Sequence, residues 1–300
     1  MPDDACAASP DDGADPVSIP GGLVLVSTPI GNLGDVSTRA RETLAASELI
    51  LCEDTRHSAR LLSALGVRVR TEPLHEHNED ARIGPVLALL RAGRRVALVS
   101  DAGTPLLSDP GFRLVRAAIA EGLPVSAVPG PNAALTALGL SGLPPVPFLF
   151  LGFPPPRAAA RRAGFGGLRA AERAGLAATL IWHEAPHRLA ETLADMAASF
   201  GARPAAVARE LTKRFEEVRR GTLPELAAFY AATAVRGEVT VLVGPAAADA
   251  AADAEGLDER LRSALAAGSV KDAAALVATA TGLPRKLVYA RALELAAERG

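Results

Sequence analysis

Short apolar runs punctuate the first half of the chain: "LVLVST" (23–28), "LILC" (49–52), "RRVALVS" (94–100) and "PVSAV" (124–128). Each has strand length, and within each the apolar residues follow one another instead of alternating. A strand covered on one face alternates, so continuous runs predict strands buried on both faces. Between them the spacing becomes helical, as in Ala40, Leu44 and Ala45, or Val86, Leu87, Leu89 and Leu90. Strand and helix in alternation predict a parallel sheet covered by helices. After the Pro-rich "SGLPPVP" (141–147) the alternation restarts, with strands expected at "FLFL" (148–151), "AATLIW" (177–182), "AAVA" (205–208) and "VTVLV" (239–243). Beyond the alanine-rich "GPAAADAAADAEG" (244–256) the pattern reads as two or three helices. The expected organisation is a lead-in over 1–21, an α/β domain over 22–142, a second over 143–246 and a helical tail over 257–300. A length of 300 residues suits two domains.

Composition refines this picture in three places. "MPDDACAASPDDGADPVSIPGG" is acidic, Pro-rich and poor in large apolar residues, so a disordered lead-in is expected. It lacks the basic region of a signal peptide, and no apolar run approaches the roughly 18 residues of a membrane span. Two cysteines, Cys6 and Cys52, make no disulfide framework, which fits the cytoplasm. A net charge of −2 gives no global basic field, so any surface for nucleic acid must be local.

The unusual residues cluster at strand ends. "STPIGNLGD" follows the first strand, "EDTRHS" the second, "SDAGTP" the third and "PGPN" the fourth. Parallel β-α units bring their carboxyl ends to one edge, where open α/β sheets bind ligands. The third connection, "SDAGTPLLSDPG" (100–111), carries two turn signals where an ordinary one needs a single turn. Its expected role is a wall of the binding crevice, with Asp101 and the 102–104 backbone facing the ligand. The glycine spacing excludes some ligands. Gly31 and Gly34 do not make a GxGxxG fingerprint, "GFGGLR" (164–169) places Arg169 where the last glycine belongs, and no GxxxxGK[ST] loop occurs. A nucleoside without a pyrophosphate is therefore the better-supported ligand.

Several longer motifs run in a fixed order: "LVSTPIGNLGD", "LCEDTRHSARLL", "HEHNE", "LVSDAGTPLLSDPGFRLV", "VPGPNAALTAL", "SGLPPVPFLFLGF", "EAPHRL", "ARELTKRFEE" and "GEVTVLVG". From about Leu23 to Val243 the chain resembles the small-subunit ribosomal RNA 2′-O-methyltransferases, whose fold is that of the tetrapyrrole (class III) methylases. The resemblance implies two α/β domains with the cofactor cleft between them and a small helical tail. It implies S-adenosyl-L-methionine as donor, a cytidine ribose of the decoding region as acceptor, an assembled small subunit as substrate, and a homodimer. Carried over by position, it implies cofactor contacts from Pro29, Gly31, Asp101, Ala102, Gly103, Thr104, Asn132 and Ala133, with Glu184 and Glu238 from the second domain. Asn132 stands where the family usually has serine. The rivals are a class III methylase acting on a tetrapyrrole or diphthine, and a noncatalytic RNA- or nucleoside-binding protein.

Methyl transfer from a sulfonium is an in-line displacement, so positioning carries much of the catalysis. A ribose hydroxyl is a weak nucleophile and gains from a nearby base. "EDTRHS" supplies Glu53, Asp54, Arg56 and His57; Asp54 or His57 suits a proton acceptor, and Arg56 suits a phosphate. An Asp54–Arg56 ion pair shaping the loop is the alternative. Lys213 in "ELTKRFEE" is a further candidate beside the ribose. His75 and His77 invite a metal reading, but too few partner ligands lie nearby, so no metal is expected. Arg157, Arg161, Arg162, Arg169 and Arg173, on a flexible connection or helix end, suit RNA phosphates. In the tail, Gly282 and Pro284 mark a turn between two helices, and Arg285, Lys286 and Arg291 make the last one locally basic.

Overall fold

The computed structural model describes residues 21–246, 250–281 and 285–298. The expected lead-in, Cys6, and the Gly282–Pro284 turn lie outside the described residues. The chain divides into two compact units. One runs to Ala137 and adds Arg209–Glu217; the other holds Leu138–Ala208 and Val218 onward.

The first unit is built on five strands: β1 (Leu23–Val26), β2 (Leu49–Cys52), β3 (Thr71–Pro73), β4 (Val96–Val99) and β5 (Val125–Val128). Their order across the sheet is β3-β2-β4-β1-β5, with parallel pairing throughout. The continuous apolar runs are explained by what covers the sheet. Val24, Val26, Ile50, Cys52, Ala97 and Val99 face Ala40 and Leu44 of α1 (Thr38–Ala45) and Leu62 of α2 (Thr55–Ala64). Their neighbours Leu23, Leu49, Leu51, Val96 and Leu98 face α3 (Glu79–Arg91) and α4 (Phe112–Ala120) on the other side. Both faces are thus buried, and every strand residue from Val96 to Val99 is apolar. The helices following β1 and β4 lie on opposite faces although those strands are neighbours, which makes their carboxyl ends the switch point of the sheet.

The second unit carries a mixed sheet in the order β6-β7-β10-β8-β9. These are β6 (Phe148–Phe150), β7 (Thr179–Glu184), β8 (Pro204–Arg209), β9 (Glu217–Thr222) and β10 (Val239–Val243). β6 runs parallel to β7, and β10 antiparallel to it. Its core gathers Phe165 of α6 (Ala158–Arg173), Trp182, and Leu193 and Phe200 of α7 (Leu189–Phe200), with Leu226 and Tyr230 of α8 (Leu223–Ala232). Three further helices, α9 (Ala250–Ala267), α10 (Val270–Thr281) and α11 (Arg285–Ala297), bury their own core of Leu257, Leu261, Ala274, Val277, Val288, Ala292 and Leu295.

α6 corrects one expectation. The arginine-rich segment is a continuous 16-residue helix, not a flexible connection, and Arg161 cannot be an RNA contact. Its side chain is fully buried, with Nε donating to Asp195 (2.8 Å) and Nη2 to Glu191 (2.6 Å). A buried guanidinium needs such partners, and α7 supplies them.

Candidate active site

Hydrogen bonds between strand-end loops assemble the carboxyl edge of the first sheet. Past β1, Thr28 pairs by its backbone with Gly103 of the loop after β4, in both directions (2.9 and 3.1 Å). The Thr28 hydroxyl donates to the Ser100 carbonyl (3.1 Å), and the Ser100 hydroxyl donates to the Gly103 carbonyl (2.9 Å). Thr104 extends the mesh to the loop after β5: its hydroxyl donates to the Pro131 carbonyl (3.2 Å) and accepts from Asn132 (3.3 Å) and Ser27 (3.4 Å). Gly103 holds φ +85°, a conformation that a side chain strains, and an added Cβ would sit 3.2 Å from Ile30 and 3.5 Å from the Pro131 carbonyl. The glycine therefore lets three loops close on one another.

The structure thus brings Pro29, Gly31, Asp101, Ala102, Gly103, Thr104, Asn132 and Ala133 to one edge. Ala133 opens α5 (Ala133–Ser141), and Asn132 Oδ1 accepts from the Leu135 N–H (3.0 Å). Asparagine thus does two things at once, capping the helix and tying it to Thr104.

"EDTRHS" is not one loop: Arg56 and His57 lie in the first turn of α2. Asp54 caps that helix, its Oδ1 accepting from the backbone N–H of Arg56 (2.8 Å). The cap, and not the alternative Asp54–Arg56 side-chain pair, shapes the turn. The Asp54 N–H in turn donates to Asp101 Oδ1 (3.3 Å), which joins the β2 and β4 ends. Glu53, Arg56 and His57 are exposed at this edge.

Lys213 joins the same unit. Its stem crosses Gly31 so closely that an added Cβ there would lie 2.4 Å from Lys213 Cγ. Its ammonium meets Glu210 at 2.9 Å. Gly31 is required for this close approach, a reason for the glycine that spacing alone does not reveal.

The edge is acidic. Burial, then the charges of Glu53 and Asp101, push the Asp109 carboxyl up to about 6. Burial, followed by Asp101 and Asp54, also raises Glu53. Asp109, Ser27, Ser100 and the Pro131 carbonyl were not singled out from sequence. The second turn "SDPG" was the available signal for Asp109. His75 and His77 sit in a turn where Asn78 Oδ1 accepts from the His75 N–H (2.9 Å). Among the described residues, no group of three or more His, Cys, Asp or Glu side chains is placed to hold a metal.

In the second unit, Glu184 ends β7 with its carboxylate buried. It accepts from the Ala185 N–H (2.7 Å), the Thr192 hydroxyl (2.5 Å) and the Arg188 guanidinium. Both oxygens are engaged inside the unit. Arg188 and Thr192 went unnoticed in the sequence, although "EAPHRL" contains the first of them. Glu238 is exposed just before β10.

The remaining arginines of α6 differ from one another. Arg157, at the N-cap, and Arg162 are exposed, although Arg162 also reaches Asp195 (3.4 Å), while Arg169 bonds Glu172 (3.1 Å), which also receives Arg203 (2.5 Å). In α11, Arg285 and Lys286 are exposed, but Arg291 is held by Asp258 (2.6 Å) and Glu294 (2.5 Å). The cationic face expected there therefore loses Arg291. Among the described residues no helix is long and apolar enough to cross a membrane.

Comparisons with known proteins agree with this architecture. The family model of the tetrapyrrole (corrin/porphyrin) methylases matches residues 22–227, and that of the RsmI C-terminal HTH domain matches 250–296. Ribosomal RNA small subunit methyltransferase I of Mesorhizobium japonicum is 49% identical over 275 residues, 91% of this chain and 92% of that protein. Its counterpart from Micromonospora olivasterospora is 46% identical over 282 residues, 93% of this chain and 88% of that one. Among solved structures, uroporphyrin-III C-methyltransferase from Thermus thermophilus, complexed with S-adenyl homocysteine, has a TM-score of 0.52 at 20% identity. It covers 75% of this chain and 97% of its own, a likeness of fold. The chain belongs to the tetrapyrrole methylases and, among them, to the ribosomal RNA small subunit methyltransferase I family.

Proposed function

We propose that this protein methylates the 2′-hydroxyl of a cytidine in the decoding region of small-subunit rRNA, with S-adenosylmethionine as donor. It acts in the cytoplasm as a homodimer, on the assembled small subunit. The observation that carries this reading is near-half identity to ribosomal RNA small subunit methyltransferases I along nine-tenths of the chain.

The residues fit the donor. The Gly103 cradle, which an added Cβ would crowd, lets the 102–104 backbone approach a ligand, and Asp101 offers carboxylate oxygen to hydroxyl or ammonium donors. The donor supplies an electrophilic methyl group on a positively charged sulfonium. An edge holding Glu53, Asp54, Asp101 and Asp109 favours such a cation electrostatically. Lys213, laid across Gly31, extends its ammonium group along the same rim, where it suits a ribose oxygen or phosphate. His57, exposed in the first turn of α2, is the side chain best placed to accept the hydroxyl proton, since Asp54 is occupied as a cap. Arg56 beside it suits the adjoining phosphate.

Arg157 and Arg162 at the start of α6, and Arg285 and Lys286 on α11, are proposed phosphate contacts that give affinity without sequence choice. The homodimer has a suitable surface at the edge strand β6, where Phe148 and Leu149 of the strand and the flanking Val146 and Phe153 are exposed. Labelled methyl transfer to small ribosomal subunits lacking the modification tests the proposal. Incorporation on a 2′-oxygen of a decoding-region cytidine supports it. Incorporation only into a tetrapyrrole or into diphthine precursor, or none into any acceptor, overturns it.

A further inference from the structure

The segment between β8 and β9 presents an aromatic ring to solvent in a way that packing does not require. Phe215 is 64% exposed, and the guanidinium of its neighbour Arg214 stacks over the ring at 5.5 Å. The backbone fixes this display. Glu210 and Thr212 hold φ of 50° and 66°, and Leu211 between them is buried as an anchor. The Lys213 N–H donates to the Glu210 carbonyl (3.0 Å) and the Glu216 N–H to the Lys213 carbonyl (3.1 Å). The Glu216 carboxylate accepts from the Thr212 N–H (2.7 Å), closing the turn. A phenylalanine in a loose loop would fold back onto apolar surface; a locked turn keeps it out.

Its position is equally specific. The residue two before the ring's own, Lys213, lies across Gly31 at the carboxyl edge of the first sheet. The ring is therefore carried by the loop that borders the proposed site of chemistry. A flat aromatic face backed by a guanidinium, with an ammonium group alongside, matches the needs of an unpaired nucleobase and its phosphate. A protein partner would call for a wider apolar surface around the ring, whereas the ring's chain neighbours here are the charged Lys213, Arg214 and Glu216.

We infer that Phe215, with Arg214 behind it, is a stacking platform for an unpaired nucleobase of the RNA substrate, next to the nucleotide that is methylated. The inference rests on the proposed rRNA activity for its biological occupant. The contact itself is tested separately from that activity.

The full chain with Phe215→Ala, Phe215→Leu and Phe215→Trp is compared with wild type in two assays. In methyl transfer to small subunits, Phe215→Ala raises KM about 5- to 160-fold, the range for loss of one base–aromatic stack. Phe215→Trp keeps KM near wild type, and S-adenosylmethionine affinity by calorimetry is the same in all four proteins. Phe215→Leu restores apolar bulk without a π face and behaves like Phe215→Ala. In the second assay, a single-stranded cytidine-containing oligoribonucleotide quenches the indole emission of Phe215→Trp. The buried Trp182 of the wild-type protein serves as the unquenched control. Wild-type KM in Phe215→Ala, rescue by Phe215→Leu, or emission of Phe215→Trp unmoved by the oligonucleotide would overturn the platform. If wild type itself transfers no methyl group to subunits while the oligonucleotide still quenches, the rRNA activity falls and the platform stands.

Discussion

Replacing Arg161 separates a structural arginine from an RNA-binding one. Arg161→Ala leaves Asp195, whose side chain is 11% exposed, without its main partner, and opens a void where a fully buried side chain stood. Glu191 is 62% exposed and rehydrates easily, so it adds little. Removing one member of a buried ion pair costs about 3–5 kcal/mol, because the remaining charge stays desolvated. For a unit of roughly 150 residues, each kcal/mol moves Tm by about 2–4 °C, which predicts a fall of about 6–20 °C. Scanning calorimetry of wild type, Arg161→Ala, and the double variant Arg161→Met with Asp195→Leu measures it. The double variant removes both charges while keeping apolar volume, and it should recover most of the loss. A salt titration of subunit binding completes the comparison: the slope of log affinity against log salt should not change in folded Arg161→Met, which leaves the Arg162–Asp195 pair in place. An Arg161→Ala protein that melts within a degree of wild type yet binds subunits with a shallower salt slope would refute the argument. It would return Arg161 to the RNA surface.

Gly31→Ala should displace Lys213 and lower methyl transfer more than tenfold with the fold intact by circular dichroism; unchanged activity would show that the Lys213 stem moves aside freely. The Asp109 carboxyl, at about 6 in the folded protein and lower when unfolded, contributes stability that is full at low pH and is lost as pH rises through about 6. Asp109→Asn should therefore gain in Tm relative to wild type between pH 4 and pH 7, and a pH-independent difference would contradict the raised value. Deleting residues 249–300 should leave S-adenosylmethionine binding intact by calorimetry. It should weaken subunit binding with a slope change near two, one for each of the proposed phosphate contacts Arg285 and Lys286 on α11. An unchanged slope would remove α11 from the RNA surface.

What the sequence made legible follows from which forces leave a pattern. The inner strands β1, β2 and β4 of the first sheet are buried on both faces, so their apolar runs are plain in the sequence, and the Gly- and Pro-rich clusters mark their carboxyl ends. β3 (Thr71–Pro73) and β9 (Glu217–Thr222) went unseen. Both are edge strands, and "TEP" and "EVRRGT" carry the charge and proline that edges tolerate. The glycine-dependent loops that meet at the candidate edge were readable, since a glycine beside a strand end has few other uses. The role of Arg161 was not. A charge inside an alanine- and glycine-rich helix looks solvated until Asp195, 34 residues on, is known to meet it. Asp54 was similarly ambiguous, because a cap and a base call for the same residue type. Only the distance to the Arg56 amide distinguishes them.

The membership of Arg209–Glu217 in the first unit has a consequence for how the protein is made. A ribosome that has synthesised everything up to Ala137 has delivered the whole first sheet but not the segment that lies across Gly31. About 80 further residues must be polymerised before Lys213 and Phe215 emerge. At about 5–20 residues per second, that is a delay of roughly 4–16 s. During it the nascent sheet can be assembled while the segment proposed to face the substrate is still missing. A chain ending near residue 180 would therefore carry every strand of the first sheet without Lys213, and no capacity for methyl transfer is expected of it. Catalytic competence arrives late in translation, after the scaffold that supports it.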